Sequence, residues 1–366
     1  MKRTIPRVIQ EATIRGLADV PENCGTDYRF RSRADLKRVM DCCRFPSMVT
    51  LDNGQRAPKE LCFVFFVRRL ASVCTVNHLI QLGFGRDPPF WGRVIKAVAQ
   101  HIKNDLGCLL EPSNISRFQP RFGMYSESIR VVVNETHMAW HVGAVGDLFA
   151  IVDDFSPFAF LDGNCTGTCT PGAGPITPGQ HGDRNPNYLT FQEAFYTGWI
   201  HLHGIKHITL DAPDGLALFC WGPSSIRHND LYMLDSSDAN GHVYAAQAHL
   251  PDALKKVMYG DSIFPWRDCL RARMNASDAD PRKEWKDYVD FALSSSRQTV
   301  EHHYGEADQL WPFMSYDKKL KVGNMDLGAL YTCKTLFRNF YTCLYENKTS
   351  KRFKCRPPVL EEYAAP

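Results

Sequence analysis

Acidic residues follow two short apolar runs of the sequence. Residues 158–161 are all apolar and stop at Asp162, and the mostly apolar run 256–259 is followed by Gly260 and Asp261. Runs of this kind are typical of strands buried in a sheet, so each predicts a core strand with an acid at its tip. Residues just beyond strand ends are held firmly and remain accessible to substrate. Asp162 and Asp261 are therefore candidate catalytic acids, although an isolated Asp-Gly more often only begins a turn.

Two further carboxylates extend this candidate site. Glu301 lies in the later part of a predicted helix, 287–301, and a helix packed across the sheet would bring a third acid to the same point. Asp230 follows a predicted strand within a loop, and it is expected to act as a fourth ligand or to orient another ligand. The predicted catalytic residues are Asp162, Asp261 and Glu301, and the predicted metal ligands are Asp162, Asp230, Asp261 and Glu301.

Clustered carboxylates repel one another unless a cation neutralises them. Mg²⁺, with Mn²⁺ as the alternative, suits such a cluster because it binds carboxylates, water and substrate phosphate together. Two such ions would activate a water molecule or a 3′-hydroxyl and stabilise the leaving oxygen of a phosphodiester. The predicted chemistry is thus in-line phosphoryl transfer.

The elements that must position these acids are strands followed by helices. Residues 204–210 and 215–221 predict a pair of strands joined by the turn 211–215. Together with the two apolar runs and the helix 287–301, they predict an α/β fold whose mixed sheet is flanked by helices. A segment rich in Gly, Pro and Thr, 164–187, is expected to be a long exposed loop, and a helix from about 125 toward 148 is expected to lead into the first core strand.

Three helices joined by tight turns are predicted between residues 59 and 105, an arrangement typical of a helix-turn-helix. The last of them carries apolar residues on one face and basic residues on another. A basic stripe on this helix is suited to DNA, although charged runs are usually only solvated helix faces. The predicted DNA contacts are Arg86, Arg93, Lys96 and Lys103.

Composition sets limits on this interpretation. The chain has 366 residues, of which 44% are hydrophobic, and this length allows two or three domains. A formal net charge of +3 is too small to indicate a polyanionic partner by itself. The 13 scattered cysteines, with no apolar leader after Met1, predict reduced thiols in a cytosolic or nuclear protein. No apolar run approaches the roughly 20 residues of a membrane span, so no membrane partner is expected.

Short motifs also occur along the chain in a characteristic order. They are Phe160-Leu161-Asp162-Gly163, Tyr196-Thr197-Gly198, Pro213-Asp214-Gly215, Arg227-His228-Asn229-Asp230, Gly260-Asp261-Ser262, and Arg297 with Val300-Glu301 and Tyr304-Gly305. From about residue 25 to the C-terminal tail, the chain resembles the Harbinger-type transposase-derived nucleases, which carry the DDE superfamily endonuclease domain. The resemblance implies a ribonuclease-H-like core, a divalent metal, and cutting and joining of DNA ends in the nucleus. It also suggests a separate DNA-binding partner protein, and self-association is left open.

The resemblance and the motifs together set the predicted domain limits. These are 1–57 for an N-terminal helical and turn region, 58–108 for the helix-turn-helix-like region, 109–152 for a connector helix, 153–312 for the nuclease core and 313–366 for a C-terminal helix and tail.

The chain departs from the family pattern at positions where phosphate contacts are expected. Asn164 stands where the family commonly has threonine, Thr170 stands in place of the arginine of a Cys-Arg-Pro run, and Ile200-His201 replaces a basic pair. Each change removes an expected phosphate contact without affecting the acids. The alternative hypothesis is therefore a domesticated or decayed relative that binds DNA or protein without cleaving.

Overall fold

A mixed β-sheet flanked by helices forms the centre of the structure, a computed structural model that describes residues 12–140, 149, 156–171, 191–315 and 320–365. The helices in these ranges are α1 (Gly25–Tyr28), α2 (Arg33–Cys42), α3 (Lys59–Leu70), α4 (Val76–Leu79), α5 (Pro88–Leu106), α6 (Phe122–Trp140), α7 (Phe191–Ala194), α8 (Asp230–Ser237), α9 (Ala239–Ala246), α10 (Lys283–Leu310), α11 (Leu327–Tyr345), α12 (Lys348–Arg352) and α13 (Leu360–Tyr363). The strands are β1 (Met48–Thr50), β2 (Arg56–Pro58), β3 (Ser156–Gly167), β4 (Tyr196–Thr197), β5 (Leu202–Asp211), β6 (Ala217–Ser225), β7 (Lys256–Tyr259) and β8 (Leu270–Arg271).

Strand β3 is central to the larger sheet. β5 pairs antiparallel with one edge of β3, and β6 pairs antiparallel with β5. β7 pairs parallel with the other edge of β3, and β8 continues the sheet parallel to β7. These five strands thus lie in the order β6-β5-β3-β7-β8, while the short β4 pairs with the first two residues of β5.

The apolar run that predicts β3 is fully buried, as expected. Phe158, Phe160 and Leu161 expose none of their surface, and the ring of Phe122 in α6 stacks on Phe158 with 3.9 Å between centroids. Helices α6 and α10 contact each other and β3. Burying a large apolar side chain contributes about 1.5–3 kcal/mol, so this half of β3 firmly anchors the polar residues that follow it.

The N-terminal helices share their core with the C-terminal helix α11. The ring of Phe337 in α11 lies 6.1 Å from the rings of both Phe63 and Phe66 in α3. Helix α5 packs on both α3 and α11. The buried apolar side chains form one continuous cluster from Leu17 to Ala364, and the domain limits stay predictions.

The position of Asp162 differs from the prediction that it ends its strand. β3 continues to Gly167, and Asp162 pairs with Thr209 inside the antiparallel ladder with β5. The parallel ladder with β7 does end close by, where Phe160 pairs with Tyr259. Asp162 therefore lies within the ladder that β3 forms with β5, and just beyond the end of the ladder that β3 forms with β7.

The prediction that Asp230 lies in a loop is wrong. Asp230 is the first residue of α8, and the side chain of Asn229 caps this helix by accepting the N–H of Tyr232 at 2.8 Å. The preceding strand also continues to Ser225, four residues beyond its predicted end at Trp221. Asp230 is therefore held at a helix start.

The other predicted elements of the core are present with shifted ends. The strand pair is observed as β5 and β6, and the helix predicted at 287–301 is the longer α10. The predicted exposed loop begins as part of β3, and its residues 172–190 lie outside the described residues, as do 141–148 of the predicted connector helix. Within the described ranges, no helix combines the length and the apolar character that crossing a bilayer requires.

The shared core generates a prediction about stability. Replacing Phe337, which is fully buried, with alanine should lower the free energy of unfolding by about 3–5 kcal/mol because it removes packing from both α3 and α11. The control Phe291→Ala, at a side chain that is 60% exposed, should change it by at most about 0.5 kcal/mol. Denaturant titration followed by circular dichroism checks both values. A separate early transition of the N-terminal helices in the Phe337 variant would contradict a shared core.

Candidate active site

Asp162 is the centre of the candidate site, and helix α10 contacts it at two points. The Asp162 side chain is 20% exposed, and its Oδ2 accepts a hydrogen bond from Nη1 of Arg297 at 2.9 Å. The hydroxyl of Tyr304 donates to the backbone carbonyl of Asp162 at 3.0 Å. Arg297 and Tyr304 are seven residues apart, so they lie on one face of the helix two turns from each other. Helix α10 therefore fixes both the carboxylate and the backbone of Asp162.

The pKa of Asp162 is raised from 3.8 to about 6. Burial is the main cause, while the Arg297 guanidinium and the N–H of Gly163 act in the opposite direction. The negative charges of Asp230 and Asp261 raise the pKa further. Asp230 and Asp261 are therefore each within electrostatic reach of Asp162.

Asp261 leaves the parallel ladder at the same level as Asp162. The ladder of β3 and β7 ends where Phe160 pairs with Tyr259, and Asp162 and Asp261 each come two residues later. Neighbouring strands are about 4.8 Å apart, so the backbones of the two acids leave the ladder side by side. Asp261 is exposed, and its Oδ1 accepts the N–H of Ser262 at 2.6 Å. The site therefore pairs a half-buried carboxylate with a solvent-exposed one.

Asp230 reaches β3 from the opposite face of the sheet. A Cβ on Gly163 would lie 2.0 Å from Oδ1 of Asp230, so this carboxylate occupies the space beside Gly163. Successive side chains of a strand point to opposite faces, and Asp162 therefore points away from Asp230. Nζ of Lys206 lies 2.7 Å from the same Oδ1. This arrangement favours an orienting role for Asp230 over direct ligation of a metal shared with Asp162.

The expectation that helix α10 brings Glu301 to the same point as the aspartates is wrong, because Glu301 does not face the sheet. Its side chain is exposed and lines a surface groove together with His302, Gly305 and the start of α12. Four residues correspond to slightly more than one helical turn, so Glu301 is rotated by about 40° from Arg297 around the helix axis. Among the described residues, no group of three or more His, Cys, Asp or Glu side chains is close enough to hold a metal ion. The structure thus places Asp162 and Asp261 beside each other, while Glu301 lies on a more exposed face of α10 than Arg297.

A buried polar network lies beneath Asp162. Oγ1 of Thr209 lies 2.6 Å from the Tyr304 hydroxyl and donates to Oδ2 of Asp211 at 3.0 Å. Nδ1 of His303 lies 2.7 Å from Oδ1 of Asp211, and burial lowers the pKa of His303 while Asp211 acts against this shift. Sequence reasoning missed Thr209 and Asp211, for which the only signal is that both lie on one face of a strand.

The two carboxylates fit a divalent cation of the magnesium type. Mg²⁺ is usually held by one or two carboxylates, with water and substrate phosphate completing its coordination. Asp162 and Asp261 would supply these ligands, and Asp162 already binds a positive charge, the guanidinium of Arg297. Arg297, which the sequence reasoning did not place in the site, is therefore part of it.

The basic residues of α5 are partly neutralised within the chain. Nε of Arg93 and Nζ of Lys96 lie 3.3 and 3.5 Å from the carboxylate of Asp52. Lys103 is half-buried, and Arg86 is exposed at the N-terminal side of the helix. Contact of these residues with DNA stays a prediction.

Comparison of the chain with protein-family models, with curated proteins and with solved structures found no match.

The raised pKa of Asp162 predicts a pH-dependent stability. An acid whose pKa is higher in the folded state stabilises that state below its unfolded pKa, and this contribution is lost as the pH rises from 3.8 to about 6. The free energy of unfolding of the wild type should therefore fall by roughly 1–3 kcal/mol relative to that of Asp162→Asn over this window. Denaturant titrations of both proteins at several pH values measure this difference. A difference that does not change with pH would contradict a raised pKa of Asp162 in the folded protein.

Proposed function

We propose that this protein is a divalent-metal-dependent nuclease of the Harbinger type that cleaves phosphodiester bonds of DNA. The observation that carries the proposal is the register of Asp162 and Asp261, which each lie two residues beyond the last pair of the parallel β3–β7 ladder, with a cationic side chain bound to Asp162. Two acids side by side at the end of a parallel ladder are suited to hold a metal ion that contacts a substrate phosphate. The DNA substrate and a nuclear location rest on the resemblance of the motifs.

The topology of the sheet supports the proposal. Three antiparallel strands, β6, β5 and β3, are followed by β7 and β8 added parallel to β3. This order of strands supports the ribonuclease-H-like core that the resemblance implies. Helices α3 to α5 are the segment proposed as a helix-turn-helix.

Each side chain of the site has a role in this proposal. A bound divalent cation would activate the attacking water and neutralise charge on the phosphate. Asp162 and Asp261 hold the cation, and Tyr304 keeps the backbone of Asp162 in place through its hydroxyl. Arg297 donates to Asp162, and its planar guanidinium is equally suited to phosphate oxygens. Glu301, one turn beyond Arg297, remains the proposed third acid and must turn its side chain toward Asp162 to act.

The second candidate function is a DNA- or protein-binding module without cleavage. Two observations favour it: ion pairs already neutralise Asp162 and Asp230, and Glu301 points away from the sheet. Buried acids need positively charged partners even in a protein that never binds metal, so these ion pairs also fit a binding module. Nicking of DNA separates the two candidates.

The nuclease proposal predicts a set of cleavage phenotypes. Asp162→Ala and Asp261→Ala should each reduce Mg²⁺-dependent nicking of supercoiled plasmid by at least about 100-fold, because each removes a metal ligand. Asp230→Asn should leave measurable activity, and the control Asp278→Ala, at a fully exposed side chain, should behave as wild type. Wild-type protein that nicks no faster than Asp162→Ala with either Mg²⁺ or Mn²⁺ would favour the binding module.

Arg297 should compete with metal for Asp162. Replacing Arg297 with glutamine removes the cation that neutralises this carboxylate, so Mn²⁺ should raise the melting temperature at a several-fold lower concentration than in wild type. Thermal unfolding over a series of Mn²⁺ concentrations measures this shift. The control Arg273→Gln, at an exposed arginine 4.0 Å from Asp290, should leave the wild-type concentration dependence unchanged. An unchanged dependence in the Arg297 variant would show that the guanidinium does not occupy the metal position.

A further inference from the structure

The tip of the β4–β5 hairpin exposes an unusually large apolar side chain. Trp199 is 91% exposed, more than any other large hydrophobic residue in the described part of the chain, and its neighbour Ile200 is 44% exposed. A tryptophan buries a large surface when it binds a partner. Its near-complete exposure at a hairpin tip points to an interaction outside the chain.

Strand pairing and hydrogen bonds hold the backbone of the hairpin that carries the indole. Thr197 and Leu202 pair across the two strands, and the N–H of Trp199 donates to Oγ1 of Thr197 at 3.4 Å. The guanidinium of Arg227, in the loop after β6, donates to the backbone carbonyl of Glu193 just before the hairpin at 3.2 Å. A preorganised contact loses little conformational entropy on binding.

Other ring and cationic side chains surround the hairpin. The rings of Tyr196 and His203 lie 5.0 Å apart, and the Tyr196 hydroxyl lies 3.2 Å from Nδ1 of His201. The rings of His228 and Tyr232 are tilted by 31°, with 3.9 Å between centroids. Aromatic faces combined with guanidinium groups bind unpaired nucleotides, since bases stack on the rings and phosphates pair with the cations.

The hairpin also lies at the correct end of the sheet. Thr209 of β5 pairs with Asp162, and Gly204 of β5 pairs with Gly167 at the end of β3. These two pairs are about 16 Å apart along the strand. A DNA strand that reaches Asp162 can thus extend over the hairpin.

We propose that the hairpin tip, with Trp199 as its anchor, stacks on an unpaired base of the DNA strand next to the cleavage site. This inference rests on the proposed nuclease function and adds the form of DNA that the site takes. Arg227 pairs with a phosphate beside the stacked base.

Binding in EDTA tests the inference independently of cleavage. Fluorescence anisotropy with a labelled duplex that carries a single-stranded overhang should show a Kd about five- to a hundredfold higher for Trp199→Ala than for wild type. Trp199→Phe should retain most of the affinity because phenylalanine also stacks. Phe291→Ala, the matched control at another exposed aromatic residue, should bind as wild type.

An abasic scan identifies the stacked base. When an abasic residue is moved along the overhang, one position should weaken wild-type binding to the level of Trp199→Ala, and the variant should be insensitive there. Unchanged binding by Trp199→Ala, an equal loss at every abasic position, or an equal loss for a fully paired duplex would overturn the inference. If Asp162→Ala cleaves as wild type while the Trp199 effects hold, the nuclease proposal fails and the stacking surface stands.

Discussion

The ion pair between Asp162 and Arg297 is the interaction on which the candidate site depends. Asp162 follows a fully buried stretch of β3, so its carboxylate is brought into a partly dry environment whether or not a partner is present. An uncompensated charge is costly in that environment, so burial raises the pKa of Asp162. The guanidinium of Arg297 stabilises the ionised carboxylate. The same helix must then lie across β3, because Arg297 and Tyr304 are spaced to hold the side chain and the backbone of one residue.

The two faces of β3 serve different purposes at this point. On one face, Asp162 meets helix α10 and the buried network that includes Thr209. On the other face, Gly163 leaves room for Asp230, which is neutralised by Lys206. A side chain at position 163 would collide with the Asp230 carboxylate, so the glycine is needed for close approach. The strand therefore separates the acid that is suited to bind metal from an acid that supports the start of α8.

Much of this arrangement could be predicted from the sequence. Apolar runs located β3 and β7, and the acid that follows each run was correctly expected at the same edge of the sheet, because parallel neighbours leave a sheet at one edge. The end of β3 could not be predicted, since its last residues are polar and small and become a strand only through pairing with β5. Local propensity does not contain that long-range information.

The directions in which the side chains of α10 point also could not be predicted from the sequence. Arg297 and Glu301 are one turn apart, and a helical pattern alone does not distinguish two directions separated by about 40°. Packing of Val300, which is fully buried, turns the helix so that Arg297 meets Asp162. The cap formed by Asn229 is a local signal that could have placed Asp230 at a helix start.

Crystals grown with Mn²⁺ test whether Asp162 and Asp261 form a divalent-metal site. We expect an anomalous difference peak between the two carboxylates, about 2.1 Å from an oxygen of each, with Arg297 displaced from Asp162. An empty position at saturating Mn²⁺, with the Arg297 guanidinium still bound to Asp162, would contradict it.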